Sequence, residues 1–368
     1  MHTGSVNNLV ESPPAWLTNR GGEFIAVSSR VRLARNVEGI PFPARCTPEL
    51  RTCIFDRICS EAGRLSWLAH GEKLDICEVG GPGRDILVEC RLASRELSSG
   101  GTGSGLVYSR DRCTSLMINE EDHLRMQTVL PGLALGEAWR QVAQVDSDLS
   151  ERLPYTFDET WGYLTSCPTN LGTGLRASVM LHLPGLGIAE MMEPVVHGIQ
   201  TLGFEVRGAL GEGTEAVANL FQISNRSTLG ESETDIIRRL EALIRQVIRH
   251  EQNARVRLTG KYRQVLYDTV GRAYGVLRHA YTLTTREALN GLSALRLGVD
   301  LGMFSSLRAE TIDRLMLNVQ PGHLQWQAGG ELPPEQRDEY RAGLTRAALS
   351  ETESPPFPGD SGDPETNE

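Results

Sequence analysis

Five arginines lie at the edges of glycine-, serine- or acid-containing motifs in separate parts of the sequence. They are Arg30 and Arg32 in SSRVR, Arg125 at the end of NEEDHLR, Arg176 at the end of CPTNLGTGLR, and Arg207 at the start of RGALGEG. Two arginines at alternate positions of a strand project from one face. The planar guanidinium binds phosphate oxygens in a bidentate way, so a converging set predicts a polyphosphate cradle. For one arginine alone a surface salt bridge is the simpler explanation, but the set of five favours the cradle.

Two carboxylates and a thiol accompany the arginines. Glu121 lies in the run NEED, Glu212 follows a glycine turn, and Cys167 begins CPTNLGTGLRAS. Two carboxylates from separate segments can grip a guanidinium and remove a proton, so that its nitrogen attacks a phosphorus. NEED alone also fits a helix N-cap. Beside arginines a thiol ionises more readily and can stabilise a cation, although a buried inert thiol is the alternative. Together these groups indicate phosphoryl transfer from a nucleotide to a cationic nitrogen, with Mg²⁺ bridging phosphate oxygens.

Composition excludes several other classes of function. The 368 residues carry a net charge of −10, which argues against general nucleic-acid binding. No apolar run reaches the length of a membrane span, and the N-terminus lacks the pattern of a signal peptide, so we expect a cytoplasmic protein. Seven cysteines without a CxxC pair indicate reduced thiols and no zinc site. The glycine-rich segment 98–105 lacks the GK[ST] ending of a nucleotide-binding Walker A loop.

The secondary-structure pattern predicts a mixed α+β region that is followed by helices. Apolar and alternating runs predict strands that begin at 24–35 and continue at 73–79, 85–90, 106–118 and 176–183. Helices are predicted at 47–69 and 122–149, and a helix end, a strand, a glycine turn and another strand across 197–224. A capping box at 232–235 opens a long amphipathic helix. Helices at 258–280, 284–302, 306–317 and 333–349 then form a small all-α domain.

The motifs resemble those of the ATP:guanido phosphotransferase family, in the family's order and over roughly residues 24–254. They are SSRVRLARN (28–36), NEEDHLR (119–125), CPTNLGTGLRAS (167–178), RGALGEGT (207–214) and ISNRSTLG (223–230). Within that family the chain most resembles the bacterial protein-arginine kinases. It begins almost at SSRVR, has Met180 and Thr228 where phosphagen kinases usually have histidine and arginine, and carries RDEYRA (337–342) in its helical domain.

The resemblance implies a fold, an activity and a set of partners. The fold is α+β, an antiparallel sheet flanked by helices and followed by a small all-α domain. The expected boundaries are an N-terminal arm at 1–23, the catalytic domain at 24–254, a phosphoarginine-binding regulatory domain at 255–349 and a disordered acidic tail at 350–368. The activity is transfer of the ATP γ-phosphate, with Mg²⁺, to arginine side chains of proteins. Implied partners are protein substrates, an activator protein, a cytoplasmic protease or chaperone that degrades the marked proteins, and a second copy in a homodimer, but neither nucleic acid nor membrane.

Family roles transfer to this sequence residue by residue. The resemblance makes Glu121 and Glu212 the guanidinium-binding carboxylates, Cys167 the active-site cysteine, and Glu120 a ligand of magnesium through water. It makes Arg337, Asp338, Arg341 and Ala342 an allosteric phosphoarginine pocket. The implied ATP-binding residues are Ser28, Ser29, Arg30, Val31, Arg32, Arg125, Arg176, Ala177, Ser178, Val179, Met180, Arg207, Gly208, Ala209, Leu210, Gly211 and Glu212.

One departure and two rival functions stay open at this point. Arg91 in VECRLASRELS aligns with a histidine that contacts the nucleotide in relatives. The first rival function is a phosphagen-type kinase of free arginine or another small guanidino compound. The second is an adaptor that binds phosphoarginine without catalysis, against which the intact carboxylates and arginines argue.

Overall fold

One antiparallel sheet of eight strands organises the chain in a computed structural model, which describes residues 3–18, 25–68, 71–208 and 216–355. The strands are β1 (Ala26–Arg35), β2 (Glu72–Asp75), β3 (Gly105–Tyr108), β4 (Thr114–Ile118), β5 (Leu124–Pro131), β6 (Phe157–Asp158), β7 (Gly162–Tyr163), β8 (Leu175–His182), β9 (Phe204–Gly208) and β10 (Leu220–Asn225). Their order in the large sheet is β2-β3-β4-β5-β1-β8-β10-β9, and β6 and β7 form a separate hairpin.

Helices surround this sheet and then continue alone. They are α1 (Thr3–Glu11), α2 (Ala15–Thr18), α3 (Pro48–Ala62), α4 (Gly81–Glu89), α5 (Arg95–Ser98), α6 (Leu135–Ser150), α7 (Pro184–Ile188), α8 (Met192–Thr201), α9 (Glu233–Thr259), α10 (Arg263–His279), α11 (Thr285–Asp300), α12 (Ala309–Asn318), α13 (Pro321–Gln327) and α14 (Pro334–Ala348). The predicted fold class, an antiparallel sheet flanked by helices and followed by helices, is confirmed.

Two predicted elements are wrong. Residues 85–90, predicted as a strand, form the end of α4 and its C-cap Cys90, because Pro82 lies in the first turn of a helix and Ile86 and Leu87 then turn onto one buried face. Residues 124–131 lie inside the predicted helix 122–149 but form β5, which hydrogen-bonds to both β1 and β4. Tertiary pairing outweighs local helix preference there, and α6 begins only at Leu135.

The segment predicted as an N-terminal arm is folded where it is described. Leu9 of α1 is fully buried, and Val6 and Leu9 pack in one cluster with Ile86 and Leu87 of α4. Trp16 of α2 is 4% exposed and donates a hydrogen bond from Nε1 to the Cys90 carbonyl at 3.1 Å. The arm therefore covers one end of the sheet. The four predicted domain boundaries stay a prediction.

The two faces of the sheet have different surroundings. One face packs apolar side chains, such as Val31, Leu33 and Val179, against α3, α6 and α9 in the main core. At one end of the opposite face, Val129 and Met180 pack with residues of α10, α11 and α12 in a second core. Toward the β2 edge of that face, Leu74, Leu106 and Met117 pack with α1 and α4 in a third cluster. Polar and charged side chains lie between these two apolar regions and form the candidate site below.

A chain of buried charges joins the sheet region to the C-terminal helices. Glu251 of α9 is fully buried and accepts hydrogen bonds from the Gly185 and Leu186 amides at the start of α7, both at 2.9 Å. It also accepts one from Arg255 Nε at 2.8 Å, and Arg255 Nη1 lies 3.1 Å from Asp300 of α11. The single helix α9 thus contacts the start of α7 through Glu251 and Asp300 of α11 through Arg255.

We expect Glu251→Gln to destabilise the protein by about 2–4 kcal/mol, because it removes the charge that compensates buried Arg255 and weakens two amide contacts. The matched control is Glu241→Gln on the same helix, where Glu241 pairs with Arg245 four residues later on the surface. That change should cost about 0.5 kcal/mol or less. Urea denaturation of both variants measures the difference, and equal losses would contradict the role of the buried chain.

Candidate active site

The register of three neighbouring strands gathers four arginines on one face of the sheet. Arg32 of β1 lies directly opposite Arg176 of β8. Arg125 of β5 lies opposite Ala34, two residues beyond Arg32 on β1. Directly paired residues share a face, as do residues two apart on one strand, so Arg30, Arg32, Arg125 and Arg176 all project to the same side.

The fifth arginine reaches the same face through β10. Arg207 of β9 pairs with Gln222, and Gln222 pairs with Met180 of β8. Met180 in turn pairs with Ser28, two residues before Arg30. The structure therefore brings together all five arginines that the motifs singled out, and we name this surface the arginine face.

Positive charge on the arginine face is crowded and partly desolvated. Burial, followed by the charges of Arg125 and Arg176, lowers the pKa of Arg30 to about 10. Burial and the same neighbours, with Arg30 added, lower the pKa of Arg32 well below its usual value. Among the described residues Arg32 Nε is a buried donor without a hydrogen-bond partner. The face is therefore built to receive an anion that would offset these costs.

Two carboxylates partly neutralise the face. Both oxygens of Glu120 lie 2.6 Å from Arg125 Nη1, and Ser94 Oγ also donates to Glu120. Glu205 of β9 accepts from Arg176 and, at 2.7 Å, from Arg207 Nε. Five arginines against two carboxylates leave 5 − 2 = 3 positive charges on the face. That excess suits the phosphate chain of a nucleoside triphosphate.

Glu205 was missed from the sequence, although a signal for it exists. In FEVRG it precedes Arg207 by two residues, so on a strand the two share a face. Glu120 was predicted to hold magnesium through water; its two oxygens contact Arg125 and Ser94, and its water-mediated role stays a prediction.

Other residues of the predicted nucleotide set point away from the face. Val31, Ala177 and Val179 are fully buried in the core on the opposite side, so only their backbone can meet a nucleotide. Ser29 Oγ donates to Gly132 O at 2.8 Å and accepts from Ala134 N at 2.9 Å, just before α6. Arg30, by contrast, reaches across the face and donates from Nη2 to Gln222 Oε1 at 3.0 Å.

Arg91 lies at the border of the arginine face. Its φ of 61° is unusual for a residue with a side chain, and its Cζ lies 4.2 Å from the centroid of the Trp16 ring. The guanidinium also donates to Ser28 Oγ and to Met180 Sδ. Arg91 is therefore held beside two members of the predicted nucleotide set, and its alignment with the family's histidine stays a prediction.

A buried carboxylate positions the catalytic candidates at the other end of the face. Asp122 is 2% exposed and accepts hydrogen bonds from Asn36 Nδ2 at 2.6 Å and from the Ser166 amide at 2.7 Å. Ser166 Oγ donates to the Glu121 carbonyl at 2.8 Å. These bonds place Cys167, the next residue, beside the backbone of Glu121. Asp122 was not singled out in the sequence, where it lies inside NEED.

Glu121 has the properties of a poised base. Its side chain is exposed, whereas its neighbours on both sides are buried or half-buried. Burial of part of the carboxyl and the charges of Glu120 and Asp122 raise the pKa of Glu121, and Arg125 opposes them. A raised pKa brings a carboxylate closer to the range in which it accepts a proton efficiently.

The loop that carries Cys167 is fixed by Thr228. Thr228 Oγ1 donates to the carbonyls of Leu171 at 2.6 Å and Thr169 at 3.1 Å. Within the loop Cys167 Sγ is half-buried and lies 3.0 Å from Thr169 Oγ1. Gly174 closes the turn at a φ of +66°, where a Cβ would lie 2.6 Å from Arg35 Nη1. Thr228, which is predicted to stand where phosphagen kinases usually have arginine, thus holds the loop that carries Cys167 in place.

Several predicted residues lie outside the described ranges. These are Glu212 and the preceding Ala209, Leu210 and Gly211, so their roles stay predictions. No group of three or more His, Cys, Asp or Glu side chains within the described ranges is arranged to hold a metal. None of the helices that could be searched is long and apolar enough to cross a bilayer.

The RDEYRA helix holds its second arginine inside the helical region. Arg341 is 1% exposed and donates to Val319 O at 2.8 Å, to Leu283 O at 2.7 Å and to Asp338. Burial and the charge of Arg337 lower the pKa of Arg341, while Asp338 opposes them. Arg337 and Asp338 are half-buried. Arg341 thus links α14 to segments before α11 and after α12, and the phosphoarginine pocket stays a prediction.

Sequence comparisons place this site in a known context. The ATP:guanido phosphotransferase C-terminal catalytic domain matches residues 57–254, and the protein-arginine kinase McsB C-terminal domain matches residues 263–359. A protein-arginine kinase of Pelotomaculum thermopropionicum is 45% identical over 335 residues, which cover 90% of this chain and 94% of the relative. One from Moorella thermoacetica is 42% identical over 349 residues, covering 93% and 99%.

Solved structures share the fold. A duplicated taurocyamine kinase from Schistosoma mansoni with transition-state analogue components bound has a TM-score of 0.58 at 26% identity, over 74% of this chain and 40% of that chain. A lombricine kinase has a TM-score of 0.55 at 24% identity, over 67% and 75%. The second likeness concerns the fold alone.

We expect inorganic tripolyphosphate to raise the melting temperature. At a concentration a hundredfold above its Kd, it should add about 2.7 kcal/mol to the free energy of unfolding. Arg32→Met should raise the melting temperature of the free protein, because one like charge and one unpartnered donor are removed. It should also weaken tripolyphosphate binding at least about tenfold. The control Arg140→Met, on the surface of α6, should change neither value. A free protein destabilised by Arg32→Met, with binding intact, would contradict this account.

Proposed function

The chain belongs to the protein-arginine kinases of the ATP:guanido phosphotransferase family, and we propose that it transfers the γ-phosphate of ATP to the guanidinium of arginine side chains in proteins. The observation that carries the proposal is the arginine face beside Glu121 and Cys167. A surplus of three positive charges receives the phosphates, and an exposed carboxylate with a raised pKa borders it.

Catalysis by such a site is mainly positioning and charge neutralisation. Arg30, Arg32 and Arg176 would contact the phosphate oxygens of Mg·ATP, and Gln222 and Glu205 hold Arg30 and Arg176 in orientation. The charge that spreads over the transferred phosphoryl group meets guanidinium groups already in place, so little reorganisation is needed. The same crowding that destabilises the free face makes its interaction with the polyphosphate stronger.

Glu121 would supply the proton acceptor. A guanidinium nitrogen is a poor nucleophile while it carries its proton, and a carboxylate can remove that proton as the N–P bond forms and the bond to ADP breaks. Glu212, its predicted partner in gripping the guanidinium, and the Cys167 thiol, as a neighbour of the cation, complete the proposed constellation. The Asp122 and Thr228 contacts support it by keeping the Cys167 loop beside Glu121.

Further proposals about regulation and partners rest on the match of residues 263–359 to the C-terminal domain of protein-arginine kinases. We propose that phosphoarginine marks proteins for a cytoplasmic protease, that an activator protein and a homodimer take part, and that phosphoarginine regulates the enzyme through RDEYRA. The buried position of Arg341 supports a regulatory role, because it ties α14 to the segments around α11 and α12. From there α13 packs on α4, which ends one residue before Cys90 and two before Arg91.

The direct test incubates the protein with Mg·ATP and either an unfolded arginine-containing protein or free arginine, and counts acid-labile phosphate. We expect label on the protein and a loss of at least about a hundredfold in Glu121→Gln. The control Glu137→Gln, on the exposed side of α6, should keep its rate. Label on free arginine alone would point to a phosphagen-type kinase, and full activity of Glu121→Gln would remove Glu121 from the chemistry.

The pH dependence gives a separate prediction. The pKa of Glu121 is raised in the free protein. As the pH is lowered, kcat/KM should therefore begin to fall at a pH higher than the ordinary pKa of glutamate, which is about 4.3. The sign follows from the reaction, since the proton acceptor must be ionised and is lost when pH falls through its pKa. Initial rates from about pH 4 to pH 8 measure this limb and include the ordinary value. An acid limb at the ordinary value would contradict the raised pKa.

A further inference from the structure

Three exposed apolar side chains border the loop that carries Cys167. Among the large apolar residues of the described ranges, ten are exposed, and these three are Phe157 at 58%, Trp161 at 51% and Leu229 at 46%. Phe157 and Trp161 belong to the β6–β7 hairpin, and Leu229 follows β10. We name the three residues the apolar rim.

The rim is rigidly attached to the site. The Phe157 ring packs edge-on against Tyr163 at 5.1 Å, and Arg35 Cζ lies 3.5 Å from the centroid of the Tyr163 ring. Arg35 is 1% exposed and paired with Asp146 at 2.7 Å, so it is a fixed support. Asp158 holds the hairpin turn by accepting from the amides of Thr160 at 2.8 Å and Trp161 at 3.0 Å.

A single glycine joins the three residues to the catalytic loop. Gly172 pairs with Tyr163 of the hairpin, with Tyr163 N to Gly172 O at 2.8 Å. On its other side, a Cβ at Gly172 would lie 3.2 Å from Leu229 Cδ1. Gly172 lies five residues after Cys167 in the same loop. Hairpin, loop and Leu229 therefore form one continuous surface that leads to Cys167 and Glu121.

The charge around the rim suits a basic partner. Residues 155–173 contain two acids, Asp158 and Glu159, and no lysine or arginine. Glu121 adds a further exposed carboxylate next to the loop, and the exposed Arg226 is the opposing charge near Leu229. Exposed aromatic side chains are typical of binding surfaces, and carboxylates beside them attract a basic segment by complementary charge.

We propose that the apolar rim binds the apolar side chains that flank the target arginine in an extended segment of a protein substrate. In an extended chain, residues two positions from the arginine lie about 7 Å from it, on the same side of the segment. Those neighbours can reach the rim while the guanidinium enters the site. The inference rests on the proposed function and adds to it a preference for arginines that have apolar neighbours in the substrate sequence.

The test compares two peptides that each contain one arginine. One has only glycine and serine around it, and the other has leucine two residues before and two residues after it. We expect the wild-type protein to phosphorylate the leucine peptide with about tenfold higher kcat/KM. In Phe157→Ser/Trp161→Ser the ratio should fall to about one, with the glycine–serine peptide unaffected. The matched control Val265→Ser/Val276→Ser, two exposed valines on α10, should keep the tenfold preference.

A second readout separates this inference from the proposed function. Because Trp161 is exposed, bound leucine peptide should protect its fluorescence from acrylamide, and Trp161→Phe should abolish that protection. Protection without phosphoryl transfer to either peptide would keep the rim and overturn the proposed function. If Phe157→Ser/Trp161→Ser kept the preference for the leucine peptide, the proposed role of the apolar rim would be wrong. The absence of both protection and transfer would also contradict that role.

Discussion

The register of β1 between β5 and β8 is the constraint on which the site depends. It places Arg32 opposite Arg176 and brings Arg125 two residues away on the other side. A slip of one residue would turn Arg30 and Arg32 into the core and expose Val31 and Leu33. The buried apolar face therefore fixes the charged face, because the same alternation serves both. Core packing under α6 and α9 is what keeps the arginines together.

That arrangement costs stability in the free protein. Four arginines on adjacent strands repel one another, and burial removes part of their hydration, as the lowered pKa values of Arg30 and Arg32 show. Glu120 and Glu205 offset some of this cost but leave a positive excess. The remaining imbalance is available to bind a polyphosphate. The site is thus pre-formed by the fold and completed by its ligand.

The loops around the arginine face are held by buried hydrogen bonds whose role is to position the loops. Asp122 ties the end of β1 to the segment before Cys167, and Thr228 closes the loop after it. Farther away, Glu251 and Arg341 each anchor a helix junction through buried hydrogen bonds. Catalysis by positioning requires such supports, because a shift of the reacting groups by about 1 Å is costly.

The sequence by itself determined which arginines form the face, the helical character of the C-terminal region and the fold class. The alternation in SSRVR and the glycine-bordered motifs are local features, and local features survive into the structure. Tertiary structure decided the rest. Residues 124–131 form β5 because two partner strands are available to them, and the helix that Pro82 begins continues through residues 85–89 because its buried face packs with α1. The pairing of Glu205 with two arginines and the inward position of Arg341 depend on neighbours that are distant in sequence, which no local pattern encodes.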